Sequence, residues 1–325
     1  MAERAGPLAA AATSAPPRWQ EPGQRLRQWR RYWLRDPLLG GLNLLVHHGC
    51  RRLPADWGSA IGGWLGIVNG RYRYRRERER AQRLYLRLTG AAPAEAEAAM
   101  TRLFDEVGRV MVEFSQLDRL WPAGRITVTG AGQVLAARAA GRPVIVMGLH
   151  VGNWEVIGPS LVGLGLGGFK FIYQPPSSRF DHRIAVRARE RYGAVVLRPG
   201  VGAARIARRL LVEERGVLLI YADDERGGRV SAPLFGRPVP PRANLSTIVR
   251  LAWASGAAVV PAFAERVGGG ARFRVAYLPA VELAPAGDDP AAALDENVHR
   301  LDRIITPLVL ARLDRWYMML EYRRD

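Results

Sequence analysis

An α/β fold, with a mostly parallel sheet flanked by helices and a helical arm ahead of it, is the fold class this sequence predicts. Three observations carry it. From residue 121 onward, apolar runs of strand length alternate with helical stretches. One run, Pro143 to Leu149 (PVIVMGL), is continuously apolar, as a strand buried on both faces must be. From Trp29 to about Leu120, by contrast, the apolar spacing is helical throughout.

The first 24 residues are rich in Ala, Pro and Gly and read as a disordered tail. No linker interrupts residues 25–325, which read as a single domain: a helical N-terminal arm over 25–120 and an α/β core over 121–325. In the arm, the apolar stretches Leu38 to Val46 and Ala60 to Val68 fall short of a membrane span. His47, His48, Arg51, Arg52 and Asp56 interrupt the chain between them, so they read as amphipathic helices lying on a membrane. Arg71 to Arg87 carries eight arginines and two glutamates: a solvated helix face, or one that lies against lipid phosphates. Between Glu95 and Leu120, Met100, Leu103, Phe104, Val107, Val110, Met111, Phe114 and Leu117 form a core-facing helical stripe.

In the core, strands are expected at Ile126–Thr129, Pro143–Leu149, Phe169–Tyr173, Ala194–Leu197, Val217–Tyr221, Ala258–Phe263 and Phe273–Leu278. Helices are expected at Gly132–Ala140, Asp181–Tyr192, Val201–Glu214 and Leu245–Ser255, with a closing helix over Ala291–Leu320 broken near Pro307.

Composition narrows the function. The net charge is +18, and Lys170 is the only lysine among 48 basic residues. A charge so far from zero points to an acidic partner: nucleic acid, an anionic lipid surface or an acidic carrier protein. No recognition motif supports nucleic acid. The lone cysteine, Cys50, excludes a disulfide framework and a cysteine-type zinc site. Neither a nucleophile elbow nor a phosphate-binding loop is present.

Reactive groups gather at the carboxyl ends of strands in open α/β sheets, and two strand ends here are polar. The first is His150-Val151-Gly152-Asn153-Trp154-Glu155. Its spacing lets Glu155 turn back to the imidazole of His150, fix its tautomer and raise the basicity of the free nitrogen, which then takes a proton from an attacking alcohol. The second is Tyr221-Ala222-Asp223-Asp224-Glu225, whose three adjacent acids repel one another unless magnesium or nearby arginines hold them. After it, Ala232 to Pro238 is an apolar loop suited to a tunnel wall.

With these residues in view, the chain from about Leu38 onward resembles the bacterial lipid A biosynthesis (lauroyl/myristoyl) acyltransferases of the lysophospholipid acyltransferase superfamily, which have a glycerolipid acyltransferase-like fold. The His-x4-Glu box with its Gly-Asn-Trp-Glu filling carries the likeness, together with Phe235-Gly236-Arg237-Pro238, Val259 to Phe263 and the Trp316 region. The resemblance implies acyl transfer from acyl carrier protein to a hydroxyl of a lipid A precursor, at an anionic membrane surface on the cytoplasmic face of the inner membrane, with no cofactor and no metal. It implies His150 as general base with Glu155 as its partner. Asn153, Arg189 (chosen from Arg187, Arg189 and Arg191) and Asp223 are implied as substrate-binding residues. Tyr173-Gln174-Pro175 and Asp223-Asp224 depart from the family's Tyr-Arg-Pro and Asp-Gln, which leaves open another acceptor, a mannoside glycolipid or an aminolipid, as coenzyme A is left open as donor. A non-catalytic lipid-binding protein on the same fold is the reading of a different class.

Overall fold

The computed structural model describes residues 26, 29–176, 178–197, 201–226, 229–240 and 243–322. The expected tail and the Gly227-Gly228 turn lie outside them. All seven expected strands form and join one sheet: β1 (Ile126–Thr129), β2 (Val144–Gly148), β3 (Lys170–Ile172), β4 (Val195–Leu197), β5 (Val217–Tyr221), β8 (Ala258–Arg266) and β9 (Phe273–Tyr277). A short hairpin of β6 (Glu225–Arg226) and β7 (Arg229–Val230), not foreseen, follows β5. The sheet order is β1-β9-β8-β2-β5-β3-β4. Every pairing is parallel except β8 with β9. The central strands β2 and β5 are buried along their whole length, which is why they read as unbroken apolar runs.

The helices are α1 (Asp36–Cys50), α2 (Ala55–Tyr72), α3 (Arg75–Thr89), α4 (Pro93–Glu113), α5 (Leu117–Leu120), α6 (Gly132–Ala139), α7 (Ile157–Gly163), α8 (Arg179–Glu190), α9 (Val201–Val212), α10 (Asn244–Ser255) and α11 (Pro290–Leu310). The break expected at Pro307 does not occur, because α11 runs through it. Pro307 and Arg303, whose carbonyl loses its donor, both sit on the exposed face. Water replaces the missing bond there at little cost. The chain leaves the helix after Leu310 and closes through two 3-10 turns, Leu313–Arg315 and Tyr317–Met319.

The arm is built by glycine. Gly58, Gly62, Gly66 and Gly70 recur every fourth residue along α2, on one face. A Cβ on Gly66 would lie 2.1 Å from the Phe104 carbonyl oxygen, and one on Gly62 would lie 2.6 Å from that of Gly108. The α2 and α4 backbones therefore touch. Larger apolar side chains of α2 are left outside this contact: Trp57, Ile61, Trp64 and Leu65 are exposed. So are Leu38, Leu42, Leu45 and Val46 of α1, which packs on α8 through Gly40 against Phe180. Among the described residues, no helix is long and apolar enough to cross a membrane.

Candidate active site

Strand register assembles the site. Gly148 of β2 pairs with Tyr221 of β5 in parallel, so His150 and Asp223, each two residues further on, emerge side by side. His150 Nδ1 lies 2.9 Å from Asp223 Oδ1. The backbone N–H of His150 donates to Oδ2 of the same carboxylate at 2.9 Å, and the Trp316 indole N–H donates to it at 2.8 Å. An ionised carboxylate only accepts hydrogen bonds. Converging N–H groups therefore define the tautomer: Nδ1 carries the hydrogen and Nε2 the lone pair. Nε2 has no hydrogen bond among the described residues. Asp223 is fully buried, whereas the His150 side chain keeps 17% of its surface. Around the ring stand Tyr221, stacked at 4.3 Å, Trp154, edge-on at 5.3 Å, and Tyr317 at 6.3 Å.

The turn after His150 is held by its backbone. Gly152 has φ +57°, and a Cβ there would lie 2.4 Å from the Ala264 carbonyl oxygen, so only glycine fits. The C-terminal segment straps the turn: Gly152 N–H donates to Arg315 O and Tyr317 N–H donates to His150 O, each at 2.9 Å.

Glu155 does not hold the imidazole, which corrects the sequence reading. It lies in the 3-10 turn Trp154–Val156, and its carboxylate is clamped by Arg189 of α8, with Nη2 2.6 Å from Oε1 and Nε 3.2 Å from Oε2. The guanidinium of Arg189 also packs on the rings of Tyr173 (4.6 Å), Phe114 (5.0 Å) and Phe171 (5.2 Å). Burial disfavours the charge on Arg189, yet Glu155 beside it raises its pKa above the ordinary value. Burial likewise pushes the phenol of Tyr173 up to about 12, and that of Tyr221 well above its usual range. Tyr221 is thus a neutral donor, bonded to the Trp154 carbonyl at 2.8 Å.

Three residues expected to touch substrate are instead buried and engaged with protein. Asp223 serves His150, and Arg189 serves Glu155. Asn153, fully buried, donates through Nδ2 to Glu113 Oε2 at 2.7 Å. Glu113 and Glu106, one heptad apart on α4, together grip Arg266 at the end of β8. Of the other arginines considered, Arg187 and Arg191 are exposed, and Arg191 reaches His47 at 3.5 Å. The acids after β5 diverge. Asp224 accepts from Arg226 (2.6 Å), the Ser231 hydroxyl and the Asn244 N–H (3.4 Å). Burial raises its pKa. Arginine and divergence thus relieve the repulsion, and among the described residues no three His, Cys, Asp or Glu converge as a metal site.

Two clefts open elsewhere, of about 190 Å³ beside Arg109 and Arg315 and about 110 Å³ beside Gly165–Phe169. Neither is lined by His150 or by the Ala232–Pro238 loop, so neither is the expected tunnel. The loop packs on the site from behind, with Phe235 edge-on to Trp316 at 6.0 Å.

Sequence reasoning passed over Tyr317, Glu113 and Arg266, placed Tyr221 in the second strand-end cluster without a role, and noted Trp316 only as part of an aromatic ending. Tyr221 stood at a strand end beside an acid. Glu113 and Arg266 carried no local signal, because they meet from 153 residues apart.

A surface-touching imidazole backed by a buried carboxylate, at the carboxyl ends of parallel strands, is an arrangement chemically able to accept a proton. The chain belongs to the bacterial lipid A biosynthesis acyltransferase family, whose model matches residues 26–322. No curated protein matches the chain.

Proposed function

We propose that this acyltransferase moves a fatty acyl chain from an acyl carrier protein thioester to a hydroxyl of a lipid A precursor, on the cytoplasmic face of the inner membrane. The free Nε2 of His150, fixed by Asp223, is the observation that carries the reading. Nε2 takes the acceptor's proton as its oxygen attacks the thioester carbonyl. As the tetrahedral intermediate collapses, the C–S bond breaks and the imidazolium gives that proton to the leaving thiolate. A thioester is already activated, so the step needs neither nucleotide nor metal. The imidazolium formed in passing sits against the Asp223 carboxylate, which stabilises it without taking its proton. Glu155 and Arg189 act one layer back, fixing the turn that carries Trp154.

The exposed apolar faces of α1 and α2 and the high positive charge support attachment to an anionic bilayer, where the lipid acceptor resides. Purified His150→Ala, given acyl carrier thioester and membrane extract, is expected to lose about two to four powers of ten in transfer rate while keeping its melting temperature. Undiminished transfer would remove the reading. Mass spectrometry of lipids from a strain lacking the protein identifies the acceptor, and would equally reveal a glycolipid or aminolipid in its place.

A further inference from the structure

We infer that the arginine face of α3 is the docking surface for the carrier protein that brings the acyl chain; this rests on the carrier-thioester reading above. Arg76, Arg80, Arg83 and Arg87 fall at intervals of four, three and four residues, so they line one face of the helix over about 16 Å. Arg78, Ala81, Leu84 and Tyr85 are turned inward. Arg76 and Arg83 are exposed and make no ion pair among the described residues, while Glu79, three residues after the first and four before the second, is taken by Arg75 at 2.8 Å. Unlike the arginines at the site and on β8, these two have no carboxylate of their own. Their spacing suits a partner helix that presents acids at matching intervals, and their unpaired positive charge suits an acidic carrier protein.

Position supports the same partner. Arg80 donates to the Leu320 carbonyl, tying α3 to the closing 3-10 turn of the chain. Three residues earlier in that turn, Tyr317 donates its N–H to the His150 carbonyl at 2.9 Å. A carrier seated on α3 therefore sits beside the segment that frames the imidazole. A lipid surface is the competing occupant. A helix lying in a bilayer interface sets large apolar side chains beside its arginines. Between Tyr72 and Met111 none is exposed, whereas α1 and α2 expose many.

The test is charge reversal, Arg76→Glu with Arg83→Glu, in the full chain, with Arg76→Gln/Arg83→Gln as a gentler second variant. Labelled acyl carrier protein is titrated by fluorescence anisotropy, and transfer is measured from both carrier thioester and acyl-pantetheine. The expected result is at least about tenfold weaker carrier binding and a matching rise in KM for the carrier thioester. Transfer from acyl-pantetheine stays unchanged, and the glutamine pair falls between. Equal carrier binding by wild type and both variants overturns the docking face. So does equal loss with both thioesters, and so does loss of vesicle binding with carrier binding intact. A wild type that binds carrier in an α3-dependent way yet transfers from no thioester sinks the acyl-transfer reading and leaves the docking face standing.

Discussion

The turn from Gly148 to Glu155 and the helix pair α1–α2 are both rich in apolar and aromatic residues, but they spend them in opposite ways. In the turn, Val151, Asn153, Trp154 and Glu155 are buried, and Asn153, Glu155 and the neighbouring Asp223 each bond a partner from a distant element. In the helix pair, glycines make the inward contact and the large side chains face out: Trp57 is 69% exposed and Trp64 is 64% exposed. Burial with bonds to distant elements fixes geometry, which a proton-transfer site needs. An unpartnered apolar face leaves free energy to be gained from another surface. Substitutions in the first region should therefore act on rate or folding, and those in the second on attachment.

The largest effect is expected from Asp223→Asn. An amide accepts with one atom only, and its NH₂ would face groups that are themselves donors, so Nδ1–H loses its fixed partner and the ring its tautomer. Transfer rate should drop by about two to four powers of ten with little change in KM, measured with saturating carrier thioester. If Asp223→Asn stays near wild type while Glu155→Gln loses those orders of magnitude, Glu155 is the partner after all.

Next comes the buried pair. Glu155→Ala leaves the Arg189 cation buried among aromatic rings without its carboxylate, which costs about 3–5 kcal/mol of stability. Denaturant unfolding should show that loss, and Arg189→Met, which removes the charge together with its need for a partner, should lose less than Arg189→Ala. A Glu155→Ala protein as stable as wild type would contradict the clamp.

How far the sequence carried this reading follows from the same contrast. The strands were legible because β2 and β5 are buried on both faces and so carry no polar interruption. His150 was legible as the residue ending the clearest strand. Its partner was not. Spacing along the chain favoured Glu155, while the register of β2 against β5, a property of two strands 73 positions apart, selected Asp223. Both strand ends had been recognised as polar; what was missing was their adjacency in the sheet. Asn153 and Arg189 misled for a related reason. A polar residue in a motif reads as a ligand contact until its burial is known, and burial is set by α4 and α8, which arrive from elsewhere. The glycine period of α2 was visible at every fourth residue, but only contact with Gly108 gives it meaning.

Smaller effects probe the second region. Trp57→Ser with Trp64→Ser removes two large exposed side chains that lie outside the site; the variant should bind anionic vesicles about tenfold or more weakly, on the scale of about 1.5–3 kcal/mol per buried large apolar side chain. Its transfer rate on detergent-dispersed acceptor should match wild type. Unchanged vesicle sedimentation would mean that these tryptophans face something other than lipid.

The smallest expected effect joins the two regions through His47 on α1. Burial, then the electrostatic influence of Arg191, His48 and Arg51, lowers its pKa from 6.5 to about 4, with only Asp118 acting the other way. The neutral ring faces the Arg191 guanidinium at 3.5 Å, which donates to its Nε2. A histidine whose pKa is lower in the folded chain favours unfolding once protonated. Its contribution is therefore intact above pH 6.5 and fades as pH falls towards 4. Because the partner is Arg191, just beyond the helix that carries Arg189, acid should loosen the seat of α1 on α8. Melting temperature followed from pH 7 to pH 4 should fall more steeply for wild type than for His47→Gln. Parallel curves would show that the seat of α1 on α8 rests on its other contacts, the Asn43–Asp181 hydrogen bond (2.9 Å) and the packing of Gly40 on Phe180, and not on His47.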